Sequence, residues 1–545
     1  MSKKSTLVLF LICLVLPAIT TSASVSQTVG VVKANKKTPG KHKILTLSKS
    51  SYLDKVHAIW IGQMAAATMG FQFEHNTASR KWVDDYPDPM KFSTVDDDWY
   101  YEMVAIRAFE RYGIDMSVQQ LGKQWLQNSC GSWGSSEQAR LLMGRGIDPD
   151  SAGHPKYNKL WFTIGPQFSS DVYGALAPGL PNTAAEMARK YAHINGYAEG
   201  ADGAVFVSGM ISIGFTEKDP RVIVSKAAKL ISPKSPYRQC IDMVIRLAEE
   251  GKTAIEVFGA VEDRWHMEYP ATNNAVANGG IVATSVWFGQ GDFLKTVNLA
   301  FSAADFTDAD CNSANAASVI GAMHGIKAIP VNLVSQFHDR IKGDSLGDVA
   351  LTPPVDETIS GLAKRTVALG LQVLKKNGAS LVGDVLSIPV QEPLTQPAEV
   401  FKLADLTKYW NHDWELQRAG FGGAGGGMPG IRGITWLDKD VLATYPRDEV
   451  RGVVLQRSLK IDKQKSLSFS AGVDQGRAWE LNVYIDNDQV LDKIIEGTQP
   501  TMNWQQISVD LSAYQGKTVN IRLYQRVLID GKEAGDAYWK DLKIL

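Results

Sequence analysis

The hydrophobic pattern of this 545-residue chain changes its period once along the sequence. In the longer, N-terminal part, apolar residues such as Leu53, Val56 and Trp60 recur at steps of three and four, which is the spacing of one face of a helix. In the C-terminal part, apolar residues such as Leu481 and Val483 alternate with polar ones, which is typical of half-buried strands. A chain with both patterns, and too long for one core, is predicted to form an all-α domain followed by an all-β domain.

The change of period and the residues around it predict five segments. They are a signal peptide over 1–23, a mobile leader over 24–50, an all-α domain over 51–377, a linker over 378–401 and a β-sandwich over 402–545. The linker is predicted from its prolines, which interrupt regular structure. The strands that follow are short and separated by turn residues, which favours a sandwich of the jelly-roll or galactose-binding-like type.

The N-terminus has the pattern of a secretory signal. Lys3 and Lys4 precede an apolar run over 7–19, and small residues follow the run, which predicts cleavage near Ala23 or Ser24. The run is shorter than the roughly 20 residues that a membrane-spanning helix needs, and no later apolar run is long enough. The sequence therefore predicts an exported protein, periplasmic or extracellular, without stable insertion into a membrane.

The composition is that of a globular protein without a strong overall charge. Charged residues make up 21% of the chain, hydrophobic residues make up 44%, and the net charge is -1, which gives no electrostatic basis for binding nucleic acid. The cysteines beyond the signal peptide are Cys130, Cys240 and Cys311, and this odd number argues against a disulfide scaffold. We expect a small-molecule or glycan partner, and the sequence does not set the oligomeric state.

Two acidic clusters, more than two hundred residues apart, each stand at the start of a predicted helix. The first is V-D-D-D at 95–98, and the second is D-A-D-C-N at 308–312. One aspartate at such a place is explained by helix capping, but two or three need a further reason. Closely spaced carboxylates repel one another unless protons or cations lie between them, and hard divalent cations prefer oxygen ligands. The clusters therefore predict one composite metal site that folding brings together.

These clusters, together with the helix before them, resemble motifs of the ADP-ribosylglycohydrolase family, which includes the dinitrogenase reductase-activating glycohydrolases. That family has G-x-x-x-G-D-x-x-G followed by a Glu, then T-D-D-T, and finally D-T-D-T or D-T-D-C before a helix of small residues. The matching segments here are 62–74, 95–98 and 308–325. Further segments that resemble the family are S-S-E-Q-A-R (135–140), I-G-P-Q-F-S-S-D (164–171) and A-H-I-N-G-Y-A-E-G-A-D-G-A (192–204). The resemblance spans about residues 51–377.

The resemblance implies an all-α fold with two Mg²⁺ ions between the acidic clusters. Asp96, Asp97, Asp308 and Asp310 match the family's ligands. Asp98 joins them if the first motif is aligned one residue later, and Asn312 replaces a hydroxyl ligand. The resulting metal ligands are Asp96, Asp97, Asp98, Asp308, Asp310 and Asn312. Two family hydroxyl ligands are absent, because Val95 and Cys311 occupy their positions.

The resemblance also assigns catalytic and substrate-binding residues. Glu74, Asp97 and Asp310 would be catalytic, with Glu74 handling a proton or a metal. The residues that would contact the substrate are His193, Asn195, Gly203 and Asp171.

Together these observations predict a secreted, Mg²⁺-dependent glycoside hydrolase that cleaves an N- or O-glycosidic bond of ADP-ribosyl or related furanoside substrates. The alternative is a catalytically silent carbohydrate-binding protein on the same fold. Tryptophans of the C-terminal part either stack on sugars or lie in the core. We expect Trp479 and Trp539 to be core residues, because both lie in alternating strands.

Overall fold

A computed structural model describes residues 43–545, apart from 75, 272, 423–432 and 501–502. The predicted signal peptide and most of the predicted leader lie outside the described residues. Within the described residues, no helix is both long enough and apolar enough to cross a membrane.

The helices lie almost entirely in the first domain, as the hydrophobic period predicts. They are α1 (Lys49–Gly70), α2 (Asp97–Tyr112), α3 (Val118–Gln127), α4 (Gly134–Gly144), α5 (Gly165–Phe168), α6 (Asp171–Leu176), α7 (Pro181–Ala192), α8 (Glu199–Gly214), α9 (Pro220–Ala228), α10 (Pro236–Glu249), α11 (Ala254–Val261), α12 (Ala275–Gly289), α13 (Phe293–Phe301), α14 (Ala309–His324), α15 (Val331–Gln336), α16 (Ile359–Lys376) and α17 (Thr407–Trp410).

The strands form two small sheets within the first domain and two larger sheets in the second. They are β1 (Ile44–Ser48), β2 (Arg340–Leu346), β3 (Val349–Thr358), β4 (Ser380–Val382), β5 (Val385–Pro389), β6 (Glu415–Gln417), β7 (Trp436–Asp438), β8 (Val441–Thr444), β9 (Val453–Lys460), β10 (Ser466–Gly472), β11 (Ala478–Ile485), β12 (Asp488–Glu496), β13 (Gln505–Asp510), β14 (Thr518–Arg526) and β15 (Ala537–Ile544).

Helices α1 and α14 pack closely at the centre of the helical domain. A Cβ atom added to Gly321 of α14 would lie 2.8 Å from the carbonyl oxygen of Ala58 on α1, and one added to Gly62 of α1 would lie 3.3 Å from the carbonyl oxygen of Ala317. Small residues therefore allow the two backbones to approach each other closely. This contact sets the position of the N-terminus of α14.

The hairpin β2–β3 holds the segment that precedes α2. The backbone N–H of Ser93 donates to the carbonyl oxygen of Arg340 at 2.8 Å, and the N–H of Lys342 donates to the carbonyl oxygen of Ser93 at 3.0 Å. A Cβ atom on Gly343 would lie 2.8 Å from a methyl carbon of Val95. Val95, which occupies a family hydroxyl-ligand position, is thus a buried packing residue against this hairpin.

The three-stranded sheet β1–β5–β4 uses residues from both the predicted leader and the predicted linker. Strand β1 pairs antiparallel with β5, and Leu47 lies opposite Leu386. The end of the leader segment and the start of the linker segment therefore belong to the helical domain. Farther along the linker segment, the N–H of Gln396 donates to the carbonyl oxygen of Leu230 at 2.8 Å.

The C-terminal domain is a sandwich of two antiparallel five-stranded sheets, which confirms the predicted fold. Their strand orders are β13-β10-β15-β8-β7 and β12-β11-β14-β9-β6. Apolar residues of both sheets share one core, and the rings of Trp479 and Trp539 lie 5.0 Å apart within it. Both side chains are buried, so their prediction as core residues is also confirmed.

Aromatic side chains join the sandwich to the helical domain. The ring of Phe421 lies 4.3 Å from that of Phe162 and 5.7 Å from that of Tyr269, and Arg447 forms an ion pair with Glu268 at 3.3 Å. Phe421 is part of the hydrophobic core of the helical domain. The sandwich is therefore packed directly beside Phe162, which immediately precedes a wall of the cleft described below.

Candidate metal centre and active-site cleft

The second acidic cluster forms the N-terminus of α14. Asp308 is the N-cap residue, and its Oδ1 accepts a hydrogen bond from the N–H of Cys311 at 3.4 Å. The other oxygen of Asp308 accepts from Nδ2 of Asn273 at 2.5 Å. Asp310 lies in the first turn, and both aspartates are buried. The helix N-terminus favours negative charge, so α14 presents two carboxylates at one place.

The first acidic cluster forms the N-terminus of α2. Asp96 is the N-cap and accepts a hydrogen bond from the N–H of Asp98 at 3.2 Å, while Asp97 and Asp98 occupy the first turn. Asp98 is 1% exposed, whereas Asp96 and Asp97 are partly exposed. Helix capping therefore explains one residue in each cluster, Asp96 and Asp308. It does not explain the other carboxylates.

Glu74 follows α1 after a 3-10 turn over Phe71–Phe73. The last residue of α1 is Gly70, and a Cβ atom added there would lie 2.7 Å from the Cα atom of Asp310. The end of α1 thus lies directly against the start of α14. This contact brings Glu74 into the neighbourhood of the second cluster.

Two groups of metal-ligating side chains result from this arrangement. In one group, oxygen atoms of Glu74, Asp308 and Asp310 all lie within 4.8 Å of one another. In the other, an oxygen of Asp98, an oxygen of Asp310 and the sulfur of Cys311 lie within the same distance. Asp310 belongs to both groups. The structure therefore brings the two predicted clusters together, with Glu74 beside the second of them.

The carboxylates line a cleft of about 390 Å³. Its described lining residues are Glu74, Asp96, Asp97, Trp133, Gly134, Ser135, Thr163, Ile164, Gly165, Phe168, Asn273, Asp308, Asp310 and Cys311. Asp98 and Asn312 lie outside this lining, and Nδ2 of Asn312 donates to Oδ1 of Asn278 at 2.8 Å. The same Asn278 oxygen accepts from the N–H of Asp308 at 2.9 Å, so Asn312 supports the helix start from behind.

Burial and mutual repulsion raise the pKa values of these carboxyl groups. Burial, followed by the charges of Asp308 and Asp96, raises the pKa of Glu74 to about 8. Burial is also the main reason that the pKa of Asp96 is raised to about 6. The pKa values of Asp97, Asp98 and Asp310 lie well above the usual range for the same reasons. A cation in the cleft would replace the protons that these values imply.

Several buried oxygen atoms in this region also fit a cation. Among the described residues, no group donates a hydrogen bond of normal geometry to either carboxylate oxygen of Asp98 or to Oδ1 of Asp310. Buried polar atoms are almost always satisfied by a partner. Oxygen ligands of this kind suit Mg²⁺, so the residues present fit the predicted cofactor.

We expect the metal-free protein to become less stable as the pH rises from about 4 to about 8. A carboxyl group whose pKa is raised in the folded state binds its proton more tightly there than in the unfolded chain, where the pKa is about 4. Its stabilising contribution is complete below that value and is lost as the pH rises through the folded-state values of about 6 for Asp96 and about 8 for Glu74. Thermal unfolding in EDTA measures this trend. Added Mg²⁺ should raise Tm more at pH 8 than at pH 5.5, and an equal rise at both would contradict the prediction.

His193 and Asn195, predicted to contact substrate, lie outside the cleft lining. His193 Nε2 pairs with Oε1 of Glu399 at 2.9 Å, and its ring stacks on Tyr197. Nδ2 of Asn195 donates to the hydroxyl of Ser136 at 2.9 Å. Asn195 thus lies behind the wall that contains Ser135, while His193 faces the segment that was predicted as a linker.

Gly203 and Asp171 also lie outside the lining, in the helical core. A Cβ atom on Gly203 would lie 2.9 Å from the side chain of Gln167, so this glycine allows α8 to pack against α5. Oδ1 of Asp171 accepts from Nδ2 of Asn315 at 2.9 Å. Because Asn315 is on α14, Asp171 contacts the helix that carries Asp308 and Asp310 without reaching the cleft.

Other lining residues were not predicted from the sequence. Trp133 and Ser135 come from the start of α4, Thr163 precedes α5, and Asn273 precedes α12. The N–H of Ile164 donates to the carbonyl oxygen of Asn273 at 2.9 Å, which joins the last two parts of the wall. Ser135 begins a segment that resembles the family, and this resemblance could have identified it as a residue of the cleft. Asn273 had no comparable signal.

Residues 48–370 match the ADP-ribosylglycohydrolase family. The chain belongs to this family. The match confirms the resemblance on which the acidic clusters and Glu74 were interpreted, and it covers the whole cleft. The region after residue 370, including the sandwich, lies beyond the matched part of this ADP-ribosylglycohydrolase-family protein.

The solved structures that match the chain have low overall similarity to it. An "ADP-ribosylglycohydrolase-related protein complex" is 16% identical with a TM-score of 0.40, covering 60% of this chain and 99% of that one. A CBM51 domain of Clostridium perfringens GH95, in complex with methyl-galactose, is 19% identical with a TM-score of 0.16, covering 20% and 70%. A CBM4 structure is 15% identical with a TM-score of 0.17, covering 24% and 84%. No curated protein sequence matches the chain.

Proposed function

We propose that this protein is an exported, Mg²⁺-dependent hydrolase of a glycosidic bond in a furanoside. The observation that carries the proposal is the convergence of Glu74, Asp308 and Asp310, whose oxygens lie within 4.8 Å of one another in a cleft. Asp96 and Asp97 line the same cleft from α2. Membership of the ADP-ribosylglycohydrolase family supports a hydrolase with this arrangement.

The carboxylates of Glu74, Asp308 and Asp310 would hold the cation, with Asp96 and Asp97 beside them. When bound, Mg²⁺ would supply Lewis-acid assistance and a template for a water molecule and sugar hydroxyl groups. Asn273 holds one oxygen of Asp308 by a hydrogen bond, which orients that carboxylate.

Glu74 is the residue that we assign to proton transfer. It is the acidic lining residue with the greatest exposure. Burial, together with the charges of Asp308 and Asp96, raises its pKa to about 8 in the metal-free protein. That proton would be released when a cation binds, so the Glu74 carboxylate can accept the proton that the attacking water gives up. In the hydrolysis, a bond forms between the water oxygen and the anomeric carbon, and the glycosidic bond breaks. The leaving group takes up one proton and the water gives up one, and Glu74 exchanges protons in this step.

The charge of the cleft favours a neutral sugar over a diphosphate. Its described lining residues include five carboxylates but no lysine, arginine or histidine. Phosphate recognition usually depends on arginine or lysine. We therefore place a neutral furanoside or a nucleoside-type furanoside before an ADP-ribosyl substrate.

The sandwich is proposed to hold a glycan near this cleft. Phe421 of the sandwich side packs on Phe162, and the next residue, Thr163, lines the cleft. A domain fixed at that place would present one part of a large substrate while another part enters the cleft. The N-terminal signal pattern supports export of the protein, and an exported protein would meet such glycans outside the cytoplasm.

A substrate panel with and without Mg²⁺ tests the proposed function. The full chain, first treated with EDTA, is incubated with aryl furanosides, nucleosides and ADP-ribosyl conjugates. We expect turnover of furanosides that depends on Mg²⁺ and is abolished by renewed EDTA. Turnover of ADP-ribosyl conjugates alone would overturn the substrate assignment. Glycan binding without any turnover would favour the alternative, a silent carbohydrate-binding protein.

A further inference from the structure

Cys311 places a sulfur atom beside the buried half of the acidic site. Its Sγ lies within 4.8 Å of an oxygen of Asp98 and an oxygen of Asp310. All three residues are buried, with Asp98 only 1% exposed. This group is more enclosed than the one formed by Glu74, Asp308 and Asp310, because Glu74 is exposed.

Unpartnered oxygen atoms face this sulfur. Apart from the thiol of Cys311, which lies within hydrogen-bonding reach of Asp98, neither carboxylate oxygen of Asp98 nor Oδ1 of Asp310 has a hydrogen-bond partner among the described residues. A buried carboxylate without a partner is costly in free energy. A cation bound between Asp98, Asp310 and Cys311 would satisfy these atoms together.

The other described cysteines have different surroundings. The sulfur of Cys240 faces Gly280 and is fully buried, and Cys130 lies near Tyr101 and Arg140. Within the described part of the chain, Cys311 alone joins carboxylates in a group with metal-ligand spacing. A structural thiol would be expected in surroundings like those of Cys240.

The donor set distinguishes the two groups chemically. Three carboxylates suit a hard ion such as Mg²⁺, whereas a thiolate is a soft ligand that favours zinc and similar metals. Cysteine sulfur and carboxylate oxygen are both among the protein ligands of zinc. The same site thus offers two positions with unequal preferences, joined through Asp310.

We propose that Asp98, Asp310 and Cys311 form an inner position for a thiophilic divalent cation such as Zn²⁺, bound through the Cys311 thiolate. The outer position, formed by Glu74, Asp308 and Asp310, keeps the hard cation of the proposed function, on which this inference rests. When the metal binds, the S–H bond of Cys311 breaks, an S–metal bond forms, and the proton passes to solvent.

Cobalt titration tests the sulfur ligand directly. Co²⁺ added to the metal-free full chain should produce a thiolate-to-cobalt charge-transfer band in the near ultraviolet. The band should disappear in Cys311→Ser and persist in the matched control Cys240→Ser, which changes another buried thiol. Zn²⁺ affinity should fall at least about tenfold in Cys311→Ser, the lower end of what weakened ligation costs at metal sites. Cobalt binding without the band, or a band retained in Cys311→Ser, would overturn the inference.

X-ray absorption at the zinc edge of the unaltered protein gives a second test that needs no variant. With one Zn²⁺ per chain, we expect one sulfur neighbour at about 2.3 Å. A shell of oxygen and nitrogen alone would overturn the inference. Mg²⁺-dependent hydrolysis is measured separately, so loss of the sulfur ligand would leave the proposed function standing. If zinc were bound by sulfur in a protein without any hydrolytic activity, the inference would stand and the proposed function would fall.

Discussion

An Asp310→Asn variant is expected to lose Mg²⁺ binding and to hydrolyse its substrate at least about a thousand-fold more slowly. Asp310 contributes an oxygen to both groups of metal-ligating side chains, so its charge acts at both positions. A metal ion stabilises a transition state by several kcal/mol, and each loss of about 4 kcal/mol slows the reaction roughly a thousand-fold. The amide has the same shape, so the fold should be retained. Calorimetric titration with Mg²⁺ and measurement of kcat/KM check the result.

Asp536→Asn is the matched control for this variant. Asp536 is a carboxyl of the sandwich whose pKa is also raised well above the usual range, mainly by burial, and it is not among the cleft-lining residues. Its substitution should leave Mg²⁺ affinity and kcat/KM unchanged. Normal Mg²⁺ binding by Asp310→Asn would refute the metal assignment. Equal losses in both variants would indicate a general effect of removing buried carboxyls.

A Gly70→Ala variant is expected to weaken Mg²⁺ binding at least about tenfold by shifting α14, because metal sites lose this much when their supporting contacts change. The added Cβ atom would lie 2.7 Å from the Cα atom of Asp310, closer than atoms can approach, so one helix must move. Extra methyl groups in packed interiors cost about 1–3 kcal/mol. The clash is at Asp310, which both groups of metal-ligating side chains share. We therefore expect the metal site to be displaced more than the rest of the fold. Mg²⁺ titration and thermal unfolding in EDTA check both effects.

Gly259→Ala provides the matched control for Gly70→Ala. Gly259 lies in α11, and a Cβ atom added there meets no other atom within 4 Å. Alanine is the better helix former by up to about 1 kcal/mol, so this variant should be slightly more stable, with unchanged Mg²⁺ affinity. If Gly70→Ala behaved like Gly259→Ala, the close contact between α1 and α14 would not determine the position of Asp310.

The sequence was sufficient to predict that the two acidic clusters lie together. Each cluster begins a helix and contains more carboxylates than capping can use, so their repulsion must be relieved by protons or by a cation between them. The structure places Asp308 and Asp310 on one helix start and Asp96 to Asp98 on the other. The alternation of Leu481 and Val483 likewise identified an inward-facing strand. Both inferences depend on local patterns that a single segment carries.

Contacts between distant segments could not be predicted in this way. His193 pairs with Glu399, which is 206 residues farther along the chain, and its position in a family-like segment gave no sign of that partner. The hairpin β2–β3 packs on Val95, but no local pattern links the two. Asn273 is held at the cleft by a backbone hydrogen bond from Ile164, which lies more than a hundred residues away along the chain. Such placements are decided by helix packing and not by spacing along the sequence.

The packing of Phe421 has a consequence for how this protein can be altered by recombination. Since this side chain belongs to the hydrophobic core of the helical domain, we expect that the helical and C-terminal parts are not interchangeable units. Replacing the sandwich with an unrelated binding domain would uncover the rings of Phe162 and Tyr269. A replacement domain would therefore need an apolar side chain of its own to cover these two rings, placed where Phe421 lies in this protein.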